Sequence, residues 1–384
     1  MAEPWVILGR IPRVATDDAE AGHDANADFF VPVALPPRVT VLTAARSAHP
    51  DRERPDTYPY ILAAGPECLL VHFSAKPFCG AHFGVNPHES YLVLSRRFRM
   101  AAGEITASAE RVSDRPVSMP AIRNIQSIGL VPYDLGRGYM IADLQVDKGS
   151  DRAKLLRFQS GRDQWFETDL RCPLDAQDRE WVPAGVVSLD HKFWWFDLSW
   201  GILSCDPFVA DPELLFHGLP QGRDLDMAGP DIHDHRCITV SQNELRYVEV
   251  TPEVDDVGEA ATVFMWTWTP ALGGRTGRWE VAYEMSFAEI WNDDSYHLTG
   301  LPEKVPVLAV VCPSNPNLVY FSLDHHLFGV NMPLHTVVEL ETYELVTTAC
   351  PTTASCRYVL AWDLPPCVAT GNACLHFYKC YCAS

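Results

Sequence analysis

Apolar residues along this chain come in short runs separated by Gly, Pro, Asn and Asp, not at the three-to-four-residue spacing of an amphipathic helix. The runs read as strands. They include YILAA (60–64), CLLVHF (68–73), SYLVLS (90–95), NIQSIGLV (124–131), YMIADLQV (139–146), AKLLRF (153–158), QWFETDL (164–170), AGVVSL (184–189), KFWWFDL (192–198) and GILSCD (201–206). The series continues through CITVS (237–241), LRYVEV (245–250), ATVFMWTW (261–268), RWEVAYEMS (278–286), VPVLAVV (305–311), NLVYFSL (317–323), LFGVN (327–331) and VVELE (337–341). SFAEIWNDD (286–294) is the best candidate for a short helix.

A strand with one wet face alternates apolar and polar residues. Phe193, Trp194, Trp195 and Phe196 do not alternate, nor does VFMWTW (263–268), so both faces of these strands must be covered. A sandwich leaves each sheet one wet face, whereas stacked blades cover both. A weak internal repeat points the same way: segments 262–286 and 307–333 echo 153–170 and 184–207 in their order of apolar strand, turn and aromatic strand. The fold class expected is all-β and β-propeller-like, with about six blades of antiparallel strands. In this reading Trp195 lies on one face of its strand, and Trp194 and Phe196 on the other.

Three regions are expected. Residues 1–28 hold a short anchor (Trp5–Ile11) and an acidic, aperiodic segment (VATDDAEAGHDANAD, 14–28) read as disordered; 29–366 form the propeller-like domain; 367–384 form a Cys-rich tail.

Charge narrows the function. With a formal net charge of -20 and no Lys/Arg stripe, the chain has the wrong field for a phosphate backbone, and no nucleic-acid partner is expected. Nothing reads as a membrane span or a signal peptide, so a cytoplasmic or nuclear location is expected. The 12 cysteines then read as reduced thiols, with Cys68, Cys205, Cys237 and Cys312 as small core residues.

The blocks WVILGRIPRV (5–14), YPYILAAGPECLLVHF (58–73), VSLDHKFWWFDLSWGILSCDP (187–207), the long segment 288–332 and RYVLAWDLPP (357–366) resemble the grass-expanded plant domain-of-unknown-function family 1618. Members look like the propeller-type regions that follow F-boxes in ubiquitin-ligase adaptors. The resemblance implies the fold and supplies no catalytic residue.

The residues themselves carry no P-loop, Gly-x-Ser-x-Gly or His-Glu-x-x-His pattern. LGGRTGR (272–278) joins two strands and reads as a hairpin loop. Asp197 and Asp206 flank the aromatic strand and read as turn caps, not as a catalytic pair. Cys374, His376, Cys380 and Cys382 have spacing too tight for a usual zinc site; no metal and no cofactor are expected. DIHDHR (231–236) reads as a solvated inter-blade loop. His233, Asp234 and His235, with Glu253, Asp255, Asp256 and Glu259 of the acidic stretch TPEVDDVGE (251–259), are the candidates for contacting a protein partner, which should then present a basic patch. The expected function is a non-catalytic protein- or peptide-binding scaffold. The alternatives are a hydrolase with its site in a propeller channel and a ubiquitin-ligase substrate adaptor.

Overall fold

A computed structural model of the protein describes residues 4–15, 27–48, 58–65, 67–74, 90–101, 104–133, 138–174, 179–252, 261–271, 275–348 and 352–365. The acidic segment at 14–28, the loop at 253–260 and the tail at 367–384 lie wholly or mostly outside these residues. The chain divides into two compact units. One comprises 1–114, 344–352 and 358–384; the other comprises 115–343 and 353–357.

The architecture is all-β and propeller-like, built from five antiparallel four-stranded meanders, one fewer than the approximate count the sequence suggests. The first unit carries meander I: Tyr60–Gly65, Cys68–Ser74, Ser90–Ala101 and Glu104–Arg111. Strand Phe29–Val31 extends its sheet by pairing with Glu104–Arg111. Here, too, strand Trp5–Gly9 pairs antiparallel with Val359–Asp363, so the first and last described strands close onto each other. Trp362 is buried at this seam, and its indole N–H donates to Gly65 O at 3.0 Å.

The second unit carries the other four meanders. Meander II is Ile128–Tyr133, Gly138–Val146, Arg152–Gln159 and Gln164–Arg171; meander III is Gly185–Leu189, Lys192–Asp197, Gly201–Cys205 and Leu215–Gly218. Meander IV is Arg236–Ser241, Glu244–Thr251, Thr262–Pro270 and Gly277–Ser286; meander V is Val307–Val311, Leu318–Leu323, His326–Asn331 and Thr336–Thr342. The first strands of successive meanders lie against one another, as at the axis of a propeller. The approach of II to III is tight enough to demand glycine. A Cβ on Gly129 would fall 2.6 Å from Val186 Cγ1 and 2.7 Å from Phe193 Cδ1.

The aromatic strand is covered on both faces. Phe193 and Trp195 join the apolar layer shared with meander II, among Leu144, Leu155 and Leu203. Trp194 and Phe196 join the layer shared with meander IV, among Tyr247, Trp266 and Trp268. Trp195 has no solvent exposure, and its indole N–H donates to Ser127 O of the neighbouring meander at 2.7 Å. The short helix forms at Phe287–Trp291, where Ser286 and Glu289 make a reciprocal capping box.

Two-residue turns in this unit use left-handed backbone without glycine. Asp190 and His191 (φ 52° and 62°) and Gln242 and Asn243 (φ 51° and 57°) close hairpins in meanders III and IV. Cys68, Cys205, Cys237 and Cys312 are free thiols, and all four are buried. Burial pushes the Cys68 and Cys205 thiols up to about 12, so they are inert core groups. Among the described residues no helix is long and apolar enough to cross a membrane.

Candidate functional site

A meander alternates its connections between two ends of the sheet. In meander III the turn at 190–191 and the connection 206–214 share one end, and Phe208 contacts the His191 ring there (centroids 6.3 Å apart). The turn at 198–200 and the connection 219–231 share the other, where Leu225 N–H donates to Ser199 O at 2.8 Å.

DIHDHR sits at that second end. It is not a solvated loop. Ile232–His235 forms one helical turn leading into meander IV, and Ile232 and His233 are buried. His233 packs inward against Cys356, whose thiol donates to His233 O at 3.0 Å and Arg236 O at 3.2 Å. Asp234 is half-buried; desolvation raises its carboxyl above the ordinary range, against the opposing influence of the nearby Ser355 hydroxyl. His235 is partly exposed, with its Nε2 3.7 Å from the Asp231 carboxylate. The turn is held by apolar packing of its first two residues, a signal hidden by the surrounding charges. Glu253, Asp255, Asp256 and Glu259 lie outside the described residues, although Thr251 and Thr262 place the start and end of their loop at this same end of meander IV.

Next to this turn lies a residue the sequence reading passed over. Arg236 is buried and donates to Glu249 Oε1 at 2.7 Å, to Leu198 O at 2.9 Å and to Arg223 O at 2.8 Å. Glu249 Oε2 accepts from the Tyr247 hydroxyl at 3.1 Å. Arg223 in turn lies over the rings of Phe264 and Trp266. The network ties the turn at 198–200 and the 219–231 connection to meander IV.

Groups that resemble catalytic ones are likewise committed to the fold. Asp197 is buried, accepting from Ser199 N–H at 2.8 Å, from the Ser199 hydroxyl at 2.6 Å and from Val182 N–H at 3.1 Å. Asp206 caps the next connection through Phe208 N–H at 2.9 Å. Ser204 Oγ and His217 Nε2 lie 2.8 Å apart, both buried, with the His217 ring against Trp194 and Trp268. Among the described residues no group of three or more His, Cys, Asp and Glu is arranged to hold a metal.

Burial, with Lys192 nearby, lowers the His217 pKa to about 4, so the ring is neutral in the native state. In the unfolded chain it titrates near 6.5, so the unfolded state binds the extra proton first as pH falls. The His217 contribution to stability is complete above pH ~6.5 and is lost between there and pH ~4, by up to about 3 kcal/mol. Buried His72 of the first unit is shifted the same way, also to about 4. Urea midpoints at pH 7.5 and 4.5 check this: the difference should shrink in His217→Gln, and an undiminished difference would place the acid sensitivity elsewhere.

An open concave feature lies at the first end, between meanders II and III. It is a groove of ≈ 400 Å³ lined by Met140, Arg157, Gln159, Arg162, Phe166 and the Pro207–Ala210 connection. Arg157 fixes one wall, donating to Pro207 O and to Thr168 Oγ1 at 2.9 Å. Arg162 is exposed at the rim and stacks over Phe166. Phe208, 38% exposed, packs edge-on against Tyr133, and Val209 beside it is 45% exposed. The sequence offered little signal for this site, because its walls come from residues about fifty positions apart that only blade stacking brings together.

Residues 195–320 match the model of the family described as protein of unknown function DUF1618. The match runs from the aromatic strand of meander III to the second strand of meander V, in agreement with the resemblance read from the sequence. No curated protein matches. Similar solved structures include apo AztD from Citrobacter koseri (12% identity, covering 94% of this chain and 98% of that one, TM-score 0.32). The alpha-L-arabinofuranosidase Arb93A from Fusarium graminearum, in complex with an iminosugar inhibitor, shares 9% identity over 90% of this chain and 88% of its own (TM-score 0.36). The alpha-L-arabinanase of Penicillium chrysogenum, complexed with arabinobiose, shares 12% identity over 76% and 83% (TM-score 0.33). At these scores the fold rests on the strand pairing described above.

Proposed function

We propose that this protein is a non-catalytic scaffold that binds another protein through a peptide segment seated in the groove between meanders II and III. The observation that carries the reading is the composition of that groove: Met140, Phe166 and Pro207 in its lining, exposed Phe208 and Val209 on the 207–210 connection, and the polar Arg157, Gln159 and Arg162. Sites that hold ligands combine an apolar surface with a small number of placed polar groups in this way. Rigid blades on either side fix its walls, so little ordering is needed on binding. Asp197, Ser204 and His217, which could suggest hydrolysis, are buried and hydrogen-bonded within meander III.

The test is affinity purification of the full chain from native tissue with mass spectrometry, comparing the wild type with Phe208→Asp/Val209→Asp. Because Phe208 also touches the Tyr133 and His191 rings, Val209→Asp alone is run beside the double variant, and capture is compared only between proteins with equal melts. A partner recovered by the wild type and lost from the variant supports the reading. Identical partner sets at equal expression refute it.

A further inference from the structure

Resting on the reading of this groove as a peptide site, we propose that its occupant is a segment with a carboxylate side chain beside an apolar one. The carboxylate pairs with Arg162, and the apolar group sits on Phe208 and Val209. Among the described residues the groove lining contains two arginines and a glutamine and no carboxylate, in a chain of net charge -20. With charges screened beyond ~8 Å at physiological salt, the nearby groups set the sign: Arg157 and Arg162 in the lining, with Asp163 and Asp206 beside it. The arginines, which line the groove, therefore set the ligand's sign, opposite to the basic partner expected from composition.

The arginines are not neutralised by the fold. Among the described residues neither Arg157 nor Arg162 has a carboxylate within ion-pair distance, whereas Arg115 and Arg236 of the same unit are paired with Asp143 and Glu249. Arg157 is half-buried. Its Nε is enclosed without a hydrogen-bond partner among those residues, and its other bonds go to a neutral carbonyl and a hydroxyl. A half-buried cation with only neutral partners lacks the compensation that buried charges normally have. A carboxylate held by Arg162 brings an anion to a lining that has none of its own. Arg162 has its guanidinium on the Phe166 ring at the rim, which leaves its N–H edge for a planar carboxylate. The apolar half of the ligand follows from Phe208 and Val209, which also disfavour a polyphosphate strand, as does the net charge.

The probe is fluorescence anisotropy of the full chain with three labelled peptide pools of the form X-X-Glu-Leu-X-X, X-X-Gln-Leu-X-X and X-X-Lys-Leu-X-X. The Glu pool should bind about two- to fivefold more tightly than the Gln pool, the worth of one exposed ion pair. Arg162→Gln should remove that preference, Arg162→Lys should retain part of it, and moderate salt should weaken it. Equal binding of the Glu and Gln pools, or a Glu preference that survives Arg162→Gln, overturns the inference. If all pools bind equally and Phe208→Asp abolishes binding, the groove remains a peptide site and only the carboxylate assignment falls. If no pool binds and partner capture is indifferent to Phe208, both readings fall.

Discussion

Trp195→Ala is expected to destabilise the protein by about 3–5 kcal/mol, the range for large aromatic side chains truncated in a packed core. Trp195 has no exposed surface and fills the layer between meanders II and III, against Phe193 (ring centroids 5.3 Å apart) and Leu203. Truncation opens a cavity in that layer. It also leaves Ser127 O, in the short turn entering meander II, without the indole N–H that bonds it at 2.7 Å. The turn is itself part of a buried cluster, because the Ser127 hydroxyl donates to Asp143, which also pairs with Arg115. Trp195→Phe separates the two contributions. It keeps most of the ring's volume and loses the hydrogen bond, and should cost about 1–3 kcal/mol. Urea denaturation followed by far-UV circular dichroism measures both. A loss below about 1 kcal/mol for the alanine variant would mean that the two meanders do not share a close-packed layer here.

Arg236→Ala is expected to cost a similar amount, about 3–5 kcal/mol, for an electrostatic reason. The substitution leaves Glu249 buried with the Tyr247 hydroxyl as its remaining close partner and Arg223 3.7 Å away. It also leaves the carbonyls of Leu198 and Arg223 without the donor that gathers them. Removing one member of a buried pair is costly because the survivor's charge stays desolvated; removing both is far milder. The double variant Arg236→Met/Glu249→Leu should therefore recover much of the loss. If the double variant is as unstable as the single one, the packing of the arginine stem, not its charge, holds this corner. If Arg236→Ala costs under about 1 kcal/mol, Arg223 takes over the pairing.

Much of the fold was legible along the chain, and for local reasons. Strand positions follow from short apolar runs between turn residues, and the covering of both faces of Phe193–Phe196 follows from the failure to alternate. The helix at Phe287–Trp291 carries its own start signal in Ser286 and Glu289. Asp197 and Asp206 act as the turn caps their positions suggest, since a carboxylate can bond backbone N–H groups two residues on. The turns at Asp190–His191 and Gln242–Asn243 were less visible, because neither contains the glycine that usually marks left-handed backbone.

The site was legible only where its chemistry was local. DIHDHR drew notice for its charges, yet its neighbours decided its role: Cys356 and the meander IV core bury His233, and half-bury Asp234 beside Ser355. Arg236 and Glu249 are 13 positions apart and become a pair only because the register of their two strands sets them opposite each other. Arg157 and Pro207 are 50 apart and meet only because meanders II and III are neighbours. The sequence by itself determined that the chain is an all-β stack with covered strands, since burial demand is written in each strand's own alternation. The tertiary structure alone decided which charges are paired and which face an open groove. That depends on register and on blade adjacency, which are set by contacts far apart in the chain and leave no mark on any single segment.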